Sequence, residues 1–139
     1  MTPVISLAEN PSSRDLFLAT KEQAESGKVE AQLALGNMFN DGEGVTQYHA
    51  HAGKWFQKAA MAGNPAAQMA LGKLYAGGGG IPKNNIEAYV WFSIAAISES
   101  TLISLNASTA LNKVEQKLKP AEVAEAQARA TQKYARLNP

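Results

Sequence analysis

The chain has 139 residues, enough for one domain that buries roughly two-thirds of the surface its unfolded form exposes. It has no cysteine, which excludes disulfides, thiolate zinc sites and a cysteine nucleophile, and leaves the redox compartment open. Thirteen Lys and Arg against twelve Asp and Glu give a formal charge of +1, without the basic excess that phosphate binding needs, so no nucleic-acid partner is expected.

Charge is mildly split. Residues 1–63 carry five basic and seven acidic side chains, and residues 64–139 carry eight and five. A split of this size fits ordinary solvated helix faces. Residues 1–12 read as a flexible N-terminal segment. They lack the basic start and apolar run of a secretory signal, so the sequence as given suggests a cytoplasmic protein, or a periplasmic one if a signal peptide was removed. The longest apolar region, Ala88–Ile97, is too short to span a bilayer and is interrupted by Ser93, so no membrane insertion is expected.

The elements fall in chain order within one domain over 13–137. A capping helix is expected at 13–26, with Leu16, Ala19, Gln23 and Ala24 facing inward. Repeat one follows over 27–62 and repeat two over 63–98. With Gly27–Ala60 laid over Gly63–Ala96 at a period of 36, thirteen positions are identical: Gly27, Ala31, Gln32, Ala34, Leu35, Gly36, Gly42, Gly44, Ala52, Trp55, Phe56, Ala59 and Ala60. The second copy therefore also has Gly72, Gly78, Gly80, Trp91 and Phe92. Small and apolar residues recur at helical spacing, so each unit is a pair of amphipathic helices. Gly42-Glu43-Gly44 and Gly78-Gly79-Gly80 close the first helix before the chain turns back.

Asn64 and Pro65 suit the N-cap and first turn of a helix, and Pro82 also fits a first-turn position. Gly36, Gly72 and the paired alanines let helices approach closely, while Trp55, Phe56, Trp91 and Phe92 fill the remaining space. Residues 101–137 are read as two further capping helices. The second, opened by Pro120, would cover the last repeat with Val123, Ala124, Ala126, Gln127, Ala130 and Tyr134. The fold class is all-α: a short right-handed α/α solenoid of antiparallel helix pairs, about seven helices in all.

These residues resemble the Sel-one-like repeat family, a branch of the tetratricopeptide superfamily. Its motif appears as Ala31-Gln32, Leu35-Gly36, Phe39, Gly42-Glu43-Gly44-Val45, Ala52, Trp55, Ala59-Ala60 and Gly63, and again from Ala67-Gln68 to Ala95-Ala96. Residues 118–127 look like the terminal helix of many bacterial members. Where the family often has an Asp three residues after the Val, this chain has Tyr48 and Asn84, and where it often has a Lys just before the Ala, this chain has His51 and Glu87, all surface or loop positions. The resemblance implies an adaptor or scaffold, not an enzyme, that holds a protein or peptide partner on a concave helical face.

The first helices suggest which residues line that face: Leu33, Asn37, Asn40, Asp41, Met69 and Lys73. Leu33 and Met69 could instead pack against an adjacent helix. Replacing Asn37 and Lys73 together should weaken partner binding without loss of stability. An inhibitor or immunity-type protein blocking one toxin or enzyme is the alternative, and a small-ligand sensor or enzyme is a third. A monomer or weak homo-oligomer is expected.

No cofactor or metal is expected. His49 and His51, two apart on a helix, point about 200° away from each other and read as exposed helix-start residues. Gly77–Gly80 matches a phosphate loop in composition alone, because Ala67 stands where that motif needs glycine. Glu22 with Glu25 and Glu122 with Glu125 have the spacing of a solvated helix face.

Overall fold

A computed structural model describes residues 12–77 and 79–139, and every regular element among them is a helix. In order these are α1 (Ser13–Glu25), α2 (Val29–Asp41), α3 (His49–Met61), α4 (Pro65–Gly77), α5 (Asn85–Ala95), α6 (Thr101–Glu115) and α7 (Pro120–Leu137). The seven expected helices are present as a solenoid of helix pairs. The expected flexible segment lies outside the described residues except for Ser12, and Gly78 also lies outside them.

Local chemistry sets the helix starts. Ser12 Oγ accepts from the Asp15 backbone N–H at 3.1 Å, and the Ser12 N–H donates to the Asp15 carboxylate at 3.2 Å, a reciprocal cap. Asn64 Oδ1 accepts from the Ala67 N–H at 2.9 Å, with Pro65 in the first turn as expected. Pro82 does not begin a helix. The second cap falls at Asn84, whose side chain accepts from the Glu87 N–H at 3.1 Å, and its own N–H is held by the Tyr75 carbonyl at 2.9 Å. That places α5 three residues beyond Pro82.

The repeat explains the packing. An added Cβ at Gly36 would stand 2.5 Å from two ring atoms of Phe56, and one at Gly72 would stand 2.6 Å from the Phe92 ring. In each unit a phenylalanine of the second helix thus lies flat against a bare stretch of the first. Gly44 and Gly80, at φ of 73° and 77°, fold the inter-helix turn onto the start of the preceding second helix. Gly44 meets the Ser13 carbonyl and Gly80 meets His49, and Ser13 and His49 are themselves 36 residues apart. A side chain on either glycine would strike backbone or a helix start, apart from the strain of a left-handed φ.

Two end helices bury only part of the faces expected, Ala24 on the first and Val123, Ala126 and Ala130 on the last. On α1 the inward residues are Phe17 and Ala24, whereas Leu16, Ala19 and Gln23 are exposed. The reason is Phe17, whose ring meets Phe39 edge-on at 5.4 Å between centroids. On α7 the buried stripe is Ala126 and Ala130, flanked by Val123, Lys133 and Leu137; Ala124, Gln127 and Tyr134 are exposed. Helix α7 lies on α5, and the Tyr89 hydroxyl joins the C-terminal helices, donating to Glu115 at 3.5 Å and accepting from Gln127 at 3.3 Å.

Candidate functional site

Repeated polar residues are occupied by structure. Gln32 Nε2 donates to the Ala24 carbonyl at 3.4 Å, and Gln68 Nε2 donates to the Ala60 carbonyl at 3.2 Å. At the same register Ser104 Oγ donates to the Ala96 carbonyl at 2.7 Å, so the motif persists into α6 with serine replacing glutamine. Each bond adds a side-chain donor to a carbonyl at the end of a second helix; the Ala24 and Ala60 carbonyls also accept from the Gly27 N–H at 3.1 Å and the Gly63 N–H at 3.0 Å. Gln68 is buried, and its amide is used in this joint.

The first-helix candidates divide. Asn37, Asp41 and Lys73 are exposed. Met69 is 9% exposed and belongs to the buried cluster that contains Ala107 of α6, and Leu33 packs against the main core. Met69 therefore lies between helices and not on an open groove, while Leu33 is half-buried beside the core. Asn40 is half-buried: its side-chain oxygen lies 2.8 Å from His49 Nδ1, and its carbonyl accepts from Gln47 Nε2 at 2.8 Å.

The histidines are also half-buried, not exposed. His51 stacks on Tyr48 at 4.1 Å between centroids and meets the Phe39 edge at 5.2 Å. Its Nδ1 has no hydrogen-bond partner among the described residues. The two rings thus serve different neighbours, and no group of three His, Cys, Asp or Glu side chains converges to hold a metal among the described residues. Burial, and then the charge of Glu87, push the Tyr75 phenol above its ordinary value.

Surface clefts lie along the second helices. One, of about 290 Å³, is lined by Lys21 of α1, Phe39 of α2, and His51, Lys54, Trp55 and Lys58 of α3. A second, of about 570 Å³, continues it past Gln32, Gln57 and Met61 and shares Lys54 and Lys58. The Lys58 ammonium stands 4.5 Å from the centre of the Trp55 ring, a cation–π contact. Between α5 and α7 lies a hollow of about 300 Å³, lined by Ser93, Ile94, Ile97, Gln127, Ala130, Thr131 and Tyr134. None of the cleft lysines stood among the sequence candidates. Their signal was available: Lys54 and Lys58 are one helical turn apart beside a repeated tryptophan, at positions where the second unit has Val90 and Ile94.

No helix among the described residues is long and apolar enough to cross a membrane. No curated protein matches the chain. Among solved structures, it is similar to c5321, a protective antigen of uropathogenic Escherichia coli strains displaying an SLR fold, at 27% identity and a TM-score of 0.86. That match covers 98% of this chain and 29% of the other. It is also similar to a Sel1 repeat protein from Oxalobacter formigenes, at 28% identity and a TM-score of 0.65, covering 70% of this chain and 40% of the other. The chain therefore spans well under half the length of either protein. The model of the Sel1 repeat matches residues 29–64 and 65–98, half of the sequence, and together with the shared fold this shows that the chain belongs to the Sel1 repeat family.

Proposed function

We propose that this chain is a non-catalytic module that binds a protein or peptide on its stack of helices. Sel1 repeats generally mediate protein–protein contacts. The observation that carries the reading is how the repeated residues are used. Gly36 and Gly72 seat phenylalanine rings, Gln32 and Gln68 cap carbonyls, and Gly44 and Gly80 tuck turns onto helix starts. The repeat thus serves to build a rigid surface, and variable positions between its fixed ones are free to meet a partner. Asn37, Asp41 and Lys73 are the exposed first-helix positions in this reading.

The test is capture of a partner from the native cell on the immobilised chain, followed by titration of the captured protein. A saturable one-to-one complex is expected, weakened in the Asn37→Ala/Lys73→Ala double variant at unchanged thermal midpoint. If the chain retains only copies of itself, the adaptor reading is lost. If the double variant unfolds, those two positions are structural.

A further inference from the structure

Helices α3 and α5 occupy the same place in successive repeats, but their outer faces are covered differently. On α5, positions 87, 90, 91 and 94 lie under α7. Arg129 reaches Glu87 at 3.8 Å, and the Lys133 ammonium stands 4.6 Å from the Trp91 ring centre. Val90, Trp91 and Ile94 are accordingly 0, 1 and 5% exposed, and Ala130 of α7 shares their buried cluster. Thirty-six residues earlier the same positions are His51, Lys54, Trp55 and Lys58. There both lysines are exposed, Trp55 is half-buried, and open clefts lie alongside.

One helix of this molecule is thus already seated on a face of this geometry, and the charge of the open face specifies what would complement it. Of the five basic residues in 1–63, Lys21, Lys54 and Lys58 line the clefts, while none of the acidic residues among the described part of that stretch does. Lys21 makes a 3.8 Å pair with Glu25, both exposed to water, and Lys54 and Lys58 have no salt-bridge partner among the described residues. The α7 helix of a second copy is a poor occupant, because it would bring Arg129, Lys133 and Arg136 to a lysine-lined face.

We propose that the outer face of α3 docks an amphipathic helix of a partner protein, one with a small-residue stripe like that of α7 and carboxylates where α7 carries its three basic residues. The apolar stripe would cover Trp55, and the carboxylates would meet Lys21, Lys54 and Lys58. This adds to the protein-binding reading a second surface, distinct from the first-helix positions Asn37, Asp41 and Lys73, and the chemistry of the partner it fits, and it rests on that reading.

The probe is an 18-residue peptide with the sequence of Pro120–Leu137, stapled to hold it helical and carrying Arg129→Glu, Lys133→Glu and Arg136→Glu. It is titrated into the intact chain and followed by tryptophan fluorescence and calorimetry. Saturable one-to-one binding is expected, at least tenfold weaker in Lys54→Glu/Lys58→Glu, with an intermediate loss in Lys54→Gln/Lys58→Gln and weaker binding in high salt. The stapled peptide of native α7 sequence should not bind. Circular dichroism checks that the variants fold; if the glutamate pair does not, the glutamine pair carries the test. No saturable binding, equal binding by wild type and lysine variants, or equal binding of the two peptides overturns the proposal. So does a fluorescein-labelled single-stranded oligonucleotide that binds with the same lysine dependence, since the cleft would then read phosphates. Failure of the peptide alongside capture of a cellular partner removes this face and leaves the protein-binding reading intact.

Discussion

Replacing Gly36 by alanine should destabilise the protein, although alanine is the better helix former by about 1 kcal/mol. The added Cβ would stand 2.5 Å from both Cδ1 and Cε1 of Phe56 and 3.2 Å from Cγ. The first two distances are about 1 Å inside ordinary carbon–carbon contact. The ring is 2% exposed, so it has no solvent-side space into which to swing. Overpacking of this kind costs about 1–3 kcal/mol, and a clash with two ring atoms belongs near the upper end. The net loss should be about 1–2 kcal/mol, read as a lower urea midpoint at unchanged slope. In a Phe56→Leu background the penalty should shrink or change sign, because the clashing ring atoms are gone. Gly72→Ala should behave in the same way against Phe92, whose ring lies at 2.6 and 2.7 Å. A Gly36→Ala variant as stable as wild type, or a penalty unaffected by Phe56→Leu, would refute the account of this joint.

Three further outcomes follow from the same geometry. Gln68→Met should cost about 1 kcal/mol by removing the amide bond to Ala60, and more than Gln32→Met, whose bond is longer and less buried; an unchanged urea midpoint in Gln68→Met would show that the repeated glutamine is not a joint. Gly80→Ala should lower the thermal midpoint through a positive φ worth about 1–2 kcal/mol and through contact with the start of α3, the Ala50 nitrogen lying 2.9 Å from the added Cβ; a neutral substitution there would show that the turn moves freely. For Tyr75 the folded chain holds a proton that the unfolded chain releases. Its contribution is therefore complete below about pH 10 and is lost as pH rises through the higher folded value. Above about pH 10 the urea midpoint of wild type should fall faster than that of Tyr75→Phe, and parallel curves would contradict the burial of the phenol.

The sequence by itself determined the repeat and most of its internal joints. Identities at 36-residue spacing pair Gly36 with Phe56 and Gly72 with Phe92 because both partners lie in one unit, and any chain that folds as that unit must bring them together. Asn64 with Pro65 likewise act within four residues of their own helix. The end helices were decided by tertiary structure. With about 100° between successive residues on a helix, choosing Phe17 over Leu16 turns the whole inward face of α1, and only contact with Phe39 in the next helix makes that choice. The seating of α7 on α5 is a contact between distant segments, so a stripe read from α7 alone came out too wide, with Gln127 and Tyr134 in it. The same long-range packing buried Met69, half-buried both histidines and left Lys54 and Lys58 on an open face. Sequence periodicity shows that a helix has an apolar side, but the neighbours that arrive from elsewhere in the chain determine which positions remain exposed.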